Sequence, residues 1–155
     1  MKDNDILMYL DCGCEIDYRK KDLFKKNFEL VKTVNIIGSP TQVENKYNKM
    51  DLVLHLEMLD DKYLKTPQLQ GGVWFMLVCD KTRSLVNTWY ETACNYHMID
   101  DTPSINKNLE CFIEHRHDQA IFSLLTKKYG LFNINHRIDK CVEVIRNKSG
   151  VSRIN

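Results

Sequence analysis

The sequence has no long hydrophobic run. Its longest, residues 73–79, is far short of the roughly 20 residues a spanning helix needs, so no membrane span is expected. Nor does it have an excess of charge of either sign. The 22 Lys and Arg stand against 21 Asp and Glu, a net charge of +1. That balance argues against a dedicated nucleic-acid binder, whose footprint is a basic face. A secretion signal is also missing: the apolar run 6–10 is too short, and Asp3 and Asp5 sit where such a peptide carries positive charge. There is no repeat and no low-complexity linker, so a single domain over residues 1–155 is expected, with 149–155 as a flexible tail. Finally, no second Cys-x-Cys or Cys-x-x-Cys matches Cys12 and Cys14. Six cysteines in this setting read as reduced, buried thiols, not as a disulfide framework or a structural zinc site. Together these absences predict a soluble, cytoplasmic protein.

What is present suits one folded core. The 155 residues are 43% hydrophobic, too apolar for a disordered chain, and a chain of ~150 residues buries roughly 68–70% of its unfolded surface. Charge is unevenly placed. From Thr126 onward seven Lys and Arg face only Asp139 and Glu143, which reads as a solvated basic face.

Strand-like and helix-like segments alternate. Residues 6–10 form a short apolar run that stops at Asp11. Phe24, Phe28 and Val31 follow helical spacing within 20–33. A strand-like run at 34–37 closes on the Gly38-Ser39-Pro40 turn signal. Asn48 is an N-cap candidate for a helix carrying Leu52, Leu56 and Leu59, with Asp51 near its N-terminus. Gly71-Gly72 leads into 73–78, the best central strand. Asp80 can cap a helix with Leu85, Trp89, Ala93 and Tyr96 on one face, and Trp74, Trp89 and Tyr90 read as core. A polar stretch of about twenty residues, 97–116, follows; loops of that length are uncommon and usually functional. Residues 118–129 make an amphipathic helix, with Gly130 placed as a left-handed C-cap. Strand-like pieces at 131–134 and 142–145 end the reading. This alternation predicts the α/β class.

Three constellations could carry chemistry, although the first also reads as an acidic turn cap after a strand and the second as an N-cap Asp118 with charged neighbours in solvent. In Asp11-Cys12-Gly13-Cys14-Glu15 an acidic residue directly follows a strand, held on rigid backbone where open α/β sheets place ligands. A carboxylate there can hold a divalent cation, and Gly13 allows close approach to the backbone. The second is Glu114-His115-Arg116-His117-Asp118-Gln119, where alternation sets Glu114, Arg116 and Asp118 opposite His115 and His117. Imidazole and carboxylate ligate metals, while Gln and Arg hydrogen-bond sugars and phosphates. The third is Gln70-Gly71-Gly72, whose glycines permit a ligand close to the chain or merely relieve a bend. His136 with Arg137 reads as a surface pair, and His55 and His97 as surface residues.

Taken in order, these pieces resemble a glycosyltransferase-like family with a GT-A-like fold, found in bacterial surface-polysaccharide clusters and large DNA viruses. The matching residues are Tyr9-Leu10-Asp11-x-Gly13-Cys14-Glu15, Glu44-x-x-Tyr47-x-Lys49-Met50-Asp51-Leu52, Gln70-x-Gly72 and Trp89-Tyr90. The longest are Ile99-Asp100-Asp101-x-Pro103-Ser104 and the run from Phe112 through Glu114-His115-Arg116-His117-Asp118-Gln119 to Leu125. The resemblance implies a GT-A-like mixed sheet flanked by helices, lacking part of the N-terminal nucleotide-binding half, because only five residues precede Ile6. It implies transfer of a sugar from a nucleotide-sugar donor to a glycan or protein acceptor, assisted by Mn²⁺ or Mg²⁺, in the host cytoplasm for a viral member. Asp11 would take the metal or donor-ribose role with Glu15 as helper. Gly13, Gly71, Gly72 and Arg116 would bind the donor. Asp118, His117 and Gln119 would face sugar and acceptor, with Asp118 the catalytic carboxylate. The acidic motif is Asp-Cys-Gly-Cys where such enzymes carry Asp-x-Asp. The rival reading is a non-catalytic carbohydrate-binding or assembly subunit, with a partner chain completing the sheet at its exposed edges.

Overall fold

The computed structural model describes residues 1–135, 138 and 141–144, of which 143 and 144 by backbone alone. His136, Arg137 and the tail at 149–155 lie outside them. The elements are β1 (Ile6–Leu10), β2 (Cys14–Ile16), α1 (Lys21–Val34), β3 (Ile36–Val43), α2 (Met50–His55), α3 (Asp61–Leu64), β4 (Pro67–Leu77), α4 (Asp80–Cys94), α5 (His117–Lys128) and β5 (Val142–Val144). Short 3₁₀ turns occupy Tyr18–Lys20, Glu44–Lys46 and Tyr96–Met98.

The fold is mixed α and β around a three-stranded sheet in the order β1-β4-β3. β4 is central, as its apolar composition predicts, and both neighbours run antiparallel to it: Ile6 faces Leu77, Leu10 faces Val73 and Ile36 faces Met76. No neighbouring pair in this sheet is parallel, which corrects the expected mixed sheet. The reason is the insertion of β4 between β1 and β3, so the two strands joined through α1 share a direction but never touch. A separate ribbon pairs β2 with β5, Cys14 facing Val144; no strand was foreseen at 14–16.

Alternation along β4 feeds a core on each face. Phe75 and Ile37 pack against Val31, Phe24 and Phe28 of α1, the Phe28 ring meeting Phe75 edge-on at 5.5 Å. Trp74 and Met76 point the other way, onto α4 and α5. There Trp74 lies 5.1 Å from Phe122, which stacks on Trp89 at 4.7 Å. Helices therefore do flank the sheet. Tyr90 is 71% exposed and not core, and the expected apolar positions Leu59 and Tyr96 are also exposed. Only Cys141 of the six thiols is buried, and none forms a disulfide. Gly130 holds φ +63° after α5, the left-handed cap expected of it.

The run at 34–37 is longer than its sequence suggested. Val34 still belongs to α1, Asn35 ends that helix at φ 68°, and β3 continues through Gly38 and Pro40 with two register shifts against β4. Bulges let a strand absorb residues that look like a turn.

Candidate functional site

β1 ends where Asp11 donates its backbone N–H to Gly72 O at 2.8 Å, which brings the Asp11 carboxylate over the β4 backbone. A Cβ on Gly72 would lie 2.5 Å from Asp11 Oδ2, so glycine is required for the carboxylate to sit there. Tyr9 stacks flat on Trp74, centroids 5.2 Å apart, and donates its hydroxyl to Asp11 Oδ1 at 3.1 Å. That bond to Asp11, then burial, then the charges of Asp11 and Asp118, push the Tyr9 phenol above its ordinary pKa. Asp118, exposed at the start of α5, therefore acts on the same spot.

Gln119 completes the cluster. Gly71 N–H donates to its Oε1 at 2.9 Å, and its Nε2 donates to Gln68 Oε1 at 2.9 Å. A Cβ on Gly71 would come 3.1 Å from Gln119 Cβ, so this glycine also permits a close approach. Asp11, Gly71, Gly72, Asp118 and Gln119, drawn from three distant stretches of sequence, thus meet at one place.

No family model, curated protein or solved structure matches this chain.

The other expected residues are more dispersed. Gly13 lies in the turn after Asp11, closed by Cys14 N–H on Asp11 O at 3.0 Å. Glu15 is carried on β2, in register with Glu143. Among the described residues no group of three or more His, Cys, Asp and Glu could hold a metal by itself. Arg116 precedes α5 with its guanidinium 4.9 Å over the Tyr47 ring and its Nη2 2.6 Å from Glu114 Oε1. Its Nε is buried with no hydrogen-bond partner. His117 opens α5 at φ 49°, a left-handed conformation that costs a non-glycine residue ~1–2 kcal/mol. Its Nε2 is 2.8 Å from Asp101 Oδ1, and its ring lies 5.8 Å from that of His115.

The long polar loop is more constrained than its composition suggested. Asp51, at the first turn of α2, accepts from Ile105 N–H (2.7 Å), Asn106 N–H (2.8 Å) and Asn106 Nδ2 (2.7 Å), and faces His97 Nε2 (2.8 Å). Burial alone would raise its pKa; the bonds from Asn106, His97 and Ile105 outweigh that and hold it well below the carboxylate range. Lys49, buried to 2%, reaches Asp100 Oδ1 at 2.6 Å and His97 O at 3.0 Å. Its hydrogen bond, with those from Thr102, lowers Asp100 to about 2. Lys49 N–H donates to His115 Nδ1 at 3.3 Å, so the ring proton sits on Nε2 and goes to Met98 O at 2.8 Å. Burial pushes the His115 pKa down and keeps the ring neutral.

A second buried pair lies beneath. Glu44, fully enclosed, takes hydrogen bonds from Ser123, Lys127 and Asn48. Ser123 in turn accepts Leu69 N–H at 2.7 Å. This ties α5 to β4 just past Gln119, so the helix that presents Asp118 is fixed from below. Asn48 serves here and not as the cap of α2. Glu44, Lys49, Asp51 and Asp100 all fall in the stretches that carry the family resemblance, but their roles in these bonds were not read from the sequence.

Proposed function

We propose that the chain is a glycosyltransferase-like protein that moves a sugar from a nucleotide-sugar donor to a glycan or protein hydroxyl, on a GT-A-like arrangement of its sheet and helices. The observation that carries this reading is the convergence of Asp11, Gly71, Gly72, Asp118 and Gln119. Such a site offers an acidic group on rigid backbone, a glycine-lined floor that a flat ligand can approach, and a second carboxylate whose charge is felt at Tyr9.

The roles follow from contacts. Tyr9 fixes one oxygen of Asp11 and leaves the other over Gly72, facing the donor side. Gln119 is held by Gly71 and Gln68, so it orients α5 against the glycine floor and keeps the Asp118 carboxylate near the reacting sugar. Asp118 is assigned to take the acceptor's proton or to face the anomeric carbon, with His117 beside it. Arg116, whose Nη2 is held by Glu114, is assigned to a donor phosphate. One carboxylate without two further ligand side chains suits Mg²⁺ or Mn²⁺ held jointly with substrate phosphates and water, not a closed protein cage. Asp11 would hold it with Glu15 as helper, and bound there the ion would neutralise the diphosphate leaving group.

A second reading has its own observation. β1 has a single neighbour in the described sheet, and an edge of this kind suits a partner strand. That favours a carbohydrate-binding or assembly subunit without turnover. The test is a thermal-shift screen with UDP-, GDP- and CMP-sugars, with and without Mn²⁺, on the native chain and on Asp11→Ala. One nucleotide class should stabilise the native chain in a metal-dependent way, by ~2.7 kcal/mol at ~100 times its dissociation constant. Asp11→Ala should lose that response. A flat response in the native chain, or an undiminished one in the variant, overturns the reading.

A further inference from the structure

The loop between Asp101 and His115 wraps a pocket of about 230 Å³. Its walls are set before any ligand arrives. Met50 N–H and Ser104 Oγ both donate to Asn108 Oδ1 at 2.8 Å, Ile113 N–H donates to Lys46 O at 2.8 Å, and Ile105 and Asn106 hang on Asp51. A pocket with pre-ordered walls loses little conformational entropy on binding.

Its chemistry is selective. Phe112, half-buried, supplies a flat apolar wall. Asn108 has spent its carbonyl oxygen on Met50 and Ser104, which leaves its amide N–H₂ as a fixed donor. Asp101 uses Oδ1 for His117, and Glu114 uses Oε1 for Arg116, so each retains an acceptor oxygen. The only ring base in the lining, His115, already has both nitrogens engaged. The lining therefore has two carboxylates and no cation. Asp101 faces His117 and Glu114 pairs with Arg116 outside the lining, so inward they offer acceptor oxygens to hydroxyl and ammonium groups, with no lining cation to take a phosphate. At about 230 Å³ the pocket is below the roughly 300 Å³ at which drug-sized sites begin, which limits it to one ring.

Its position is equally specific. Asp101 lines the pocket and holds His117, the residue immediately before Asp118 and Gln119. Resting on the transferase reading above, we infer that this pocket is the acceptor subsite, built for a single neutral or amine-bearing sugar ring and closed to the anionic half of the donor.

The experiment is an amide-resolved NMR titration of the full chain, without nucleotide or metal. The probes are glucose, galactose, N-acetylglucosamine and glucosamine, against glucose 6-phosphate and glucuronate. At least one uncharged or amine-bearing sugar should move the amides of Ser104, Asn108 and Phe112, at least about tenfold more tightly than either anion, since like charges disfavour the wrong partner. Ile113→Trp places a bulky ring at a lining side chain that is 60% exposed, so the fold has no reason to change. It should abolish those shifts while the rest of the spectrum stays in place. The inference falls if no such sugar moves these amides, if the anions bind as well, or if a folded Ile113→Trp binds like the native chain. Should that variant misfold, the contrast between neutral and anionic sugars on the native chain decides alone. Sugar shifts here with a flat nucleotide-sugar screen would keep the pocket and sink the donor site; the reverse result would sink the pocket.

Discussion

Asp11 and Asp51 each stand at the boundary of a secondary-structure element, and they meet opposite fates. An ionised carboxylate offers about four lone-pair sites. Asp51 uses them on Ile105, Asn106 twice and His97. Asp11 accepts one side-chain hydrogen bond, from Tyr9. The first carboxylate holds the chain together, because a buried charge is tolerable only when its lone pairs are filled. The second is held in place but left unsaturated, which is what a ligand requires. An acidic residue beside an element is thus informative only once its partners are counted.

The largest effect should come from Asp51→Ala. It strips the partner from two backbone N–H groups and from His97, and should cost about 3 kcal/mol or more. The urea midpoint would fall and the amides of Ile105 and Asn106 would exchange freely. An unchanged midpoint would break the comparison at its structural end.

Acid should act next, and more gradually. Asp100 is lowered to about 2 and Asp51 lies well below the usual range, against an ordinary 3.8. Depressed carboxylates stabilise the fold fully above the unfolded value and lose that contribution as pH falls through the folded one. Protection of Ile105 and Asn106, corrected for the intrinsic exchange rate, should therefore persist at pH 5 and fall progressively below about pH 4. Loss at pH 5 or above would contradict the shifts.

Gly72→Ala should change stability least. Its new Cβ displaces only a side-chain carboxylate, at a cost below about 1 kcal/mol. It should nonetheless weaken any metal-dependent nucleotide-sugar response at least about tenfold by turning Asp11 away. If Gly72→Ala unfolds the chain as Asp51→Ala does, the two aspartates belong to one class after all.

Much of the unsaturated side was legible in the sequence, and little of the saturated side was. Asp11 stands out because an apolar run halts at it, and Gly71-Gly72 because paired glycines before an apolar strand are a local signal. The meeting of Asp118 and Gln119 with them was expected only from the family resemblance, not from any local pattern. By contrast, β4 begins in the mixed stretch Pro67-Gln68-Leu69-Gln70: Gln68 is fully buried yet looks like a loop residue, since its amide is satisfied by Gln119, far away in sequence. Lys49 and Asp51 find their partners about fifty residues later in the loop, and no periodicity reports a tertiary hydrogen bond. His97 was read as a surface residue for the same reason, although its ring bridges Asp51 and Thr102. The Tyr90 error came from spacing, which shows that a face exists but not where it ends.

The strand order carries one more consequence, for the order of assembly during synthesis. β1 is made before β4, its one neighbour in the described sheet, and β4 alone still lacks the Gln119 side chain that anchors Gly71. Contacts between distant stretches close only after the chain entropy of the intervening loops has been lost. Asp11 is therefore made early and enclosed late. A growing chain that has reached β4 can bring Asp11 over Gly72 but not yet Gln119 onto Gly71, so the complete cluster reports on a completed fold.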